Sequence, residues 1–144
     1  MEEICMDLET AALKAGQYFG NGYHCAEAVV AATLEAAGQD KVQIQAAISC
    51  ATAFGGGFGK SFEEACGALS GALIAIGYFH GRKTLDESWD LPARMGDDIR
   101  QAFLEQTGTT HCRTLRDRFG EEHQMAECRI LVQETTRELI RILT

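Results

Sequence analysis

The sequence predicts an all-α protein that folds as one compact, bundle-like domain of about six or seven helices. The composition is rich in alanine, leucine, glutamate and glutamine, which favour helix, and it contains one proline, Pro92. Apolar residues recur at helical spacing in segment after segment, and no segment alternates apolar and polar residues as a strand does. The chain of 144 residues is 46% hydrophobic, which is enough for one core, so a single domain over 1–144 is expected.

The first three helices are predicted over 3–19, 23–37 and 40–53. Gly20-Asn21-Gly22 ends the first helix, and Gly38 ends the second. The second helix has an alanine-rich face, which lets neighbouring helices approach closely. The third segment is short, and its length and alanines favour helix over strand.

A glycine-rich loop over 54–60 precedes the fourth helix. Ser61 with Glu64 three residues later has the pattern of a capping box, so this helix is predicted to begin at Ser61 and to close at Gly81. The loop is similar to a phosphate-binding loop, but that motif requires glycine where Phe54 stands. We therefore expect the glycines to permit unusual φ angles and a close backbone approach beside Cys66.

Gly67 and Gly71 lie four residues apart on one face of the fourth helix. A glycine inside a helix costs about 1 kcal/mol relative to alanine. Close packing of backbone against backbone is the natural compensation. The sequence therefore predicts that another element contacts the helix at these two positions.

The remaining helices are predicted from about 88 to Gly108, over 110–118 and over 121–142. Pro92 falls in the first turn of the fifth helix, where proline is tolerated. The last helix has a long apolar stripe, predicted to be buried, that begins at Met125.

The charge balance excludes several classes of function. The net charge is −8, so the chain lacks the basic footprint of a nucleic-acid-binding protein, and anionic membrane surfaces are disfavoured. The longest apolar run, Ala65 to Phe79, has 15 residues, short of the roughly 20 that a membrane span needs. The acidic N-terminus is unlike a signal peptide, which predicts a cytoplasmic protein. In that compartment cysteines are usually reduced, catalytic or metal-bound.

Four cysteines are the candidate functional residues: Cys25, Cys66, Cys112 and Cys128. The first three fall near predicted helix N-termini, where unpaired N–H groups stabilise a thiolate, which is both the nucleophile and the metal-binding form. Cys128 lies within the last helix on its apolar stripe. The chain has no Cys-x-x-Cys pair, so the fold must assemble these sulfurs if they act together. The alternative is that all four are small buried hydrophobic residues.

The other two cysteines, Cys5 and Cys50, are expected to be inert thiols. His24 and His111 directly precede Cys25 and Cys112, and an imidazolium there would lower a thiol pKa. Neighbouring helix residues point about 100° apart, however, so both histidines are expected to be solvated or to cap a helix.

The ordered set of cysteine motifs resembles the C-GCAxxG-C-C family of small redox-active proteins. The matching segments are His24–Val29 around Cys25, Cys66–Gly71 with the sequence CGALSG, Thr110–Arg113 around Cys112, Cys128, and the glycine stretch Phe54–Gly57. The resemblance covers roughly 18 to 135 and implies a helical fold and a redox role. A related domain is fused to haem-bearing segments in some electron-transfer proteins, so the resemblance also implies an iron–sulfur cluster.

Three functions remain open from the sequence. The four cysteines would bind an iron–sulfur cluster, or less readily zinc, for electron transfer. Alternatively, the protein is a thiol–disulfide oxidoreductase with Cys66 as nucleophile and Cys25 or Cys112 as the resolving thiol. The third alternative is a helical interaction module with inert cysteines. We expect an unidentified redox partner, and a homodimer formed through glycine- and alanine-rich helix faces.

Overall fold

Seven α-helices and one short 3-10 turn make up the computed structural model, which describes residues 7–144. The described part contains no strand, in agreement with the predicted all-α class, and a single bridge between Ala65 and His111 is its only β-type pairing. The helices are α1 Leu8–Gly20, α2 Cys25–Ala36, α3 Lys41–Ala51, α4 Gly67–His80, α5 Asp90–Thr107, α6 Cys112–Phe119 and α7 Gln124–Leu143, with the 3-10 turn at Thr52–Phe54.

Helix α2 is the centre of the bundle and packs against α1, α3, α4 and α7. It is apolar on nearly all sides, as expected for a helix surrounded by others. Val29, Val30 and Leu34 are completely buried there. The N-terminal end of this central helix, where Cys25 lies, is therefore held by the core.

Most helix boundaries agree with the sequence prediction to within a few residues. Helix α1 begins after Asp7, whose carboxylate accepts the Thr10 N–H at 2.7 Å, and the predicted residues 3–6 lie outside the described part of the chain. Gly108 ends α5 in the left-handed conformation with φ 77°, as expected for a C-terminal glycine. No helix within residues 7–144 is both long and apolar enough to cross a membrane.

The predicted start of the fourth helix was wrong. Helix α4 begins at Gly67, and the proposed capping box does not form, because Glu64 N–H donates to Gly57 O at 3.2 Å. The segment before the helix is instead extended along the start of α6. Arg113 N–H donates to Phe62 O at 2.8 Å, and Cys66 N–H donates to Thr110 O at 2.7 Å. These long-range bonds outweigh the local capping pattern.

The glycine-rich loop forms a left-handed turn, as its composition predicted. Backbone φ is positive throughout 56–60, between 61° and 68°, and the non-glycine residues Phe58 and Lys60 share this conformation. Phe62 follows with φ 63°. Such angles cost L-residues about 1 kcal/mol or more each, so the surrounding contacts must hold the loop in place.

The start of the last helix also differs from the prediction. Helix α7 begins at Gln124, since 121–123 form a turn after Gly120, which has φ 80°. Met125 was predicted to be buried but is 61% exposed, because it lies in the first turn, beyond the helices that cover the rest of the stripe. Cys128 and Leu131 are buried as predicted.

Gly67 and Gly71 allow α4 to contact the backbone at the start of α2. A Cβ at position 71 would lie 2.5 Å from Ala26 O, and one at position 67 would lie 3.2 Å from both Ala26 N and Cys25 Cβ. The predicted close approach is confirmed, and it places Cys66 beside the N-terminus of α2.

Replacing Gly71 with alanine should destabilise the protein by about 1–3 kcal/mol, because the new methyl group would overlap the Ala26 backbone. Urea unfolding followed by circular dichroism measures this change. Gly77→Ala in the same helix is the matched control: nothing lies within 4 Å of its Cβ position, so it should stabilise by up to about 1 kcal/mol. Equal effects of the two substitutions would contradict the packing argument.

Candidate functional site: a cavity lined by four cysteines

The thiols of Cys25, Cys66, Cys112 and Cys128 all line one cavity of about 650 Å³. Helices α2, α6 and α7 each contribute one of them, and the fourth, Cys66, immediately precedes α4. The sequence left this convergence open, and the fold brings together all four predicted site residues. Cys66, Cys112 and Cys128 are at most 9% exposed, and Cys25 is half-buried.

Three of the cysteines lie at helix N-termini, as the sequence predicted. Cys25 is the first residue of α2, Cys112 is the first residue of α6, and Cys66 is the residue immediately before α4. Cys128 lies in the second turn of α7, because that helix begins later than predicted. Three helix N-termini thus meet at the cavity, each with a partial positive charge.

The backbone segment that follows the loop, 61–66, is hydrogen-bonded to the start of α6 and so joins Cys66 to Cys112. Cys112 N–H donates to Glu64 O at 2.8 Å, which adds to the bond from Cys66 to Thr110. A Cβ on Gly57 would lie 2.7 Å from Cys112 Cβ, so glycine is required where the left-handed turn contacts α6. Two cysteines 46 positions apart (112 − 66) are therefore fixed relative to each other.

His111 holds the segment that follows the loop against α6. Its Nε2–H donates to Glu63 O at 2.9 Å, so its Nδ1 is left to accept from the Thr114 hydroxyl at 2.8 Å. Arg113 binds the Glu63 carboxylate and also donates to Ser61 O at 3.0 Å. His111 therefore caps α6 and anchors the loop.

His24 similarly joins α2 to the 3-10 turn. Its Nε2–H donates to Thr52 O at 2.8 Å, and its backbone N–H donates to the Glu27 carboxylate at 3.2 Å. A Cβ on Gly55 would lie 2.6 Å from the His24 ring, so this glycine makes room for the imidazole. His24 thus positions the first residue of α2, which is Cys25.

Cys25 and Cys128 interact as a pair of thiols in the cavity wall. The interaction with the Cys25 thiol lowers the pKa of Cys128 to about 7, assisted by Gln124 and by the Arg116 charge. Gln124 Nε2–H donates to Cys128 Sγ at 3.1 Å. The same thiol–thiol interaction, together with burial, raises the pKa of Cys25 well above its ordinary value. The two shifts have opposite directions, which favours the thiolate on Cys128 and the proton on Cys25.

Burial is the largest cause of the pKa shifts of the other two thiols, Cys66 and Cys112. It raises the pKa of Cys66 to about 12, although the N–H groups of Ala68 and Leu69 act in the opposite direction. Burial also raises the pKa of Cys112, against the opposing charge of Arg116. The helix N-terminus at Cys66 therefore does not outweigh desolvation.

The predicted metal site has no further support from the arrangement of side chains. Within residues 7–144, no three His, Cys, Asp or Glu side chains are placed so that they could hold a metal ion. Cys50 is exposed and outside the cavity, and Cys5 lies outside the described residues. The metal-binding role of the four cysteines stays a prediction.

Two residues of the site were missed by the sequence analysis, although spacing could have identified them. Gln124 precedes Cys128 by four positions, and Arg116 follows Cys112 by four, so each lies on the same helix face as its cysteine. Both line the cavity. The aromatic part of the wall had no such signal, because Phe19, Phe62 and Phe119 come from separate elements.

A family model described as "Putative redox-active protein (C_GCAxxG_C_C)" matches residues 23–142. The chain belongs to this family, as its cysteine motifs indicated. All four cavity cysteines and the glycine-rich loop fall within the matched range. No curated protein and no solved structure matches the chain.

The alkylation rate of Cys128 should rise with pH around a midpoint near 7, since its pKa is lowered to about 7 and the thiolate is the reactive form. Iodoacetamide labelling over pH 5–10, followed by peptide mass spectrometry, gives this profile. Cys25→Ala removes the largest cause of the shift and should move the midpoint toward the ordinary thiol value of about 8.5. Cys50→Ala is the control and should leave the profile unchanged. A midpoint that stays near 7 in Cys25→Ala would contradict the role of the thiol pair.

Proposed function

We propose that this member of the family is a thiol–disulfide redox protein in which Cys128 is the attacking thiolate and Cys25 is the resolving thiol. The observation that supports this assignment is that Cys25 and Cys128 line the same cavity, where their interaction lowers the pKa of Cys128 to about 7. A thiol with a pKa near ambient pH combines a large thiolate fraction with good nucleophilicity. The oxidant is an organic disulfide.

The exchange proceeds in two displacements. The Cys128 thiolate attacks one sulfur of the disulfide RSSR, which forms a Cys128–S–SR bond and releases RS⁻. Cys25 then loses its proton to solvent and attacks Cys128 Sγ, which forms the Cys25–Cys128 disulfide and releases the second RS⁻. The two cysteines lose two electrons in total, and RSSR gains them. Gln124 and Arg116 stabilise the negative charge on Cys128 before the first displacement.

The pKa directions favour Cys128 over Cys66 as the nucleophile. With a pKa of about 12, Cys66 is almost entirely protonated at neutral pH. Cys66 and Cys112 would then serve as neutral thiols in the cavity wall, the state that their burial stabilises. Cys66 is therefore a weaker candidate for the attacking residue than Cys128.

An iron–sulfur cluster is the second candidate, favoured by the position of all four thiols around one cavity. Every pair of the four thiols interacts electrostatically, so each lies near the other three. In a [2Fe–2S] cluster two thiolates bind each iron, so the four sulfurs need not share one ion. Cys25, Cys66, Cys112 and Cys128 would hold such a cluster, which would supply one-electron transfer.

Reaction of the reduced protein with hydroxyethyl disulfide at pH 7 should produce a Cys25–Cys128 disulfide, detected by peptide mass spectrometry. Cys25→Ser should stop at a mixed disulfide on Cys128, because the resolving thiol is absent. Cys128→Ser should slow the first step by at least about tenfold, because the remaining cavity thiols are mostly protonated. Cys50→Ser is the control with an unchanged product. A first mixed disulfide on Cys66 or Cys112 would overturn the assignment.

Anaerobic purification followed by iron, sulfide and visible-absorption measurements tests the second candidate. Cluster binding would give absorption between about 400 and 460 nm and stoichiometric iron and sulfide. Serine variants of each cavity cysteine should lose that signal, and Cys50→Ser should keep it. That result would support the cluster in place of the exchange reaction. A protein that takes up no iron after reconstitution would eliminate the cluster.

A further inference from the structure

The charge on the cavity wall is opposite to that of the whole protein. The chain carries 21 acidic and 13 basic residues, yet no described Asp or Glu lines the cavity, whereas Lys60 and Arg116 do. Among the described residues, no carboxylate forms an ion pair with either cation, in contrast to Arg113, which pairs with Glu63. Two cations without a carboxylate partner in the wall of an otherwise acidic protein favour an anionic ligand.

The rest of the wall is mainly apolar. Aromatic and aliphatic side chains from α1, the loop, α6 and α7 surround the thiols: Phe19, Tyr23, Phe62, Leu115, Phe119 and Leu131. The volume of about 650 Å³ is within the range of small-molecule sites, roughly 300–1,000 Å³. A ligand that fills this space has an apolar, preferably aromatic, body.

Arg116 interacts both with the aromatic wall and with the thiols. Its guanidinium carbon lies 4.1 Å from the centroid of the Phe62 ring, over its face. Its charge also acts on Cys112 and Cys128. An anionic group bound to Arg116 would therefore lie near Cys128, with the ligand body against the other aromatic side chains of the wall, Phe19, Tyr23 and Phe119.

We propose that the substrate of this site is a small organic disulfide with an aromatic or otherwise apolar body and an anionic group that binds Arg116. The proposal rests on the thiol–disulfide exchange described above and adds the class of disulfide. Lys60, exposed beside the cavity, provides a second positive charge for the incoming anion. The displacements and electron balance are those of the exchange reaction, with this molecule as RSSR.

Ligand binding is tested first in the Cys128→Ser variant, which lacks the attacking thiol and therefore cannot undergo the exchange reaction. Anilinonaphthalene sulfonate is an aromatic anion, and phenylnaphthylamine has the same aromatic body without the charge. The sulfonate should bind more tightly, and Arg116→Gln should weaken its affinity at least about fivefold with little effect on the neutral probe. Arg94→Gln, on the exposed side of α5 and away from the cavity, is the matched control and should change neither affinity.

Reactivity is tested next in the protein with all its cysteines. The initial rates with dithiobis(nitrobenzoate), which is aromatic and anionic, and with dithiodipyridine, which is aromatic and neutral, are each divided by the rate of N-acetylcysteine with the same reagent. Arg116→Gln should lower the ratio for the anionic reagent about tenfold more than that for the neutral reagent. Because both reagents react with the same thiolate, a change in the Cys128 pKa cancels in this comparison.

The two measurements separate failure of this proposal from failure of the exchange reaction. Equal affinity for the two probes would overturn the anionic ligand, as would a loss of selectivity only in Arg94→Gln. The exchange reaction would still stand if hydroxyethyl disulfide oxidised the Cys25–Cys128 pair. Tight sulfonate binding with no preferential reaction at Cys128 would overturn the disulfide as the ligand, together with the exchange reaction. Circular dichroism of each variant shows that the fold is retained.

Discussion

The contact between the start of α4 and the start of α2 is the constraint on which the site depends. Gly71 meets the Ala26 backbone, where a single methyl group would be 2.5 Å from a carbonyl oxygen, and Gly67 meets Cys25. The two glycines of the CGALSG segment are therefore steric requirements of the contact that sets Cys66 beside Cys25. Their intrinsic cost to the helix is offset by this packing, and α2 transmits the position to the whole core because four other helices surround it.

The loop before α4, together with the segment that follows it, positions the third cavity cysteine, Cys112. The left-handed turn at 56–60 is unfavourable for Phe58 and Lys60, and it persists because the segment that follows is bonded to the start of α6. His111 and Arg113 reinforce those bonds from the side. Removal of this support would release Cys112 from the cavity, so the strain of the loop and the geometry of the thiols are connected. Strained backbone beside chemically active groups is common in functional sites.

The sequence predicted the helices and the four cysteines because both depend on local signals, namely apolar period, glycine breaks and motif spacing. It failed at Ser61, where a capping pattern competes with hydrogen bonds to residues about 50 positions away, and at Met125, where burial depends on a turn after Gly120. The sequence could not predict the relative acidity of the four thiols either. Cys128 owes its lowered pKa to Cys25, which lies 103 positions away (128 − 25). Such a pairing follows from tertiary packing alone.

The protonation of the cavity distinguishes its two candidate uses. The thiols repel one another's charge, and the pKa values of Cys25, Cys66 and Cys112 are raised, so Cys128 is the first of the four to ionise. Disulfide exchange needs only that one thiolate, with the second proton leaving after the first displacement has placed Cys128 in a mixed disulfide. A cluster needs four thiolates, so its assembly must release the protons that burial holds on the other three cysteines. The order of ionisation thus suits exchange, which begins from one thiolate, whereas cluster assembly must release protons from three thiols whose pKa values are raised.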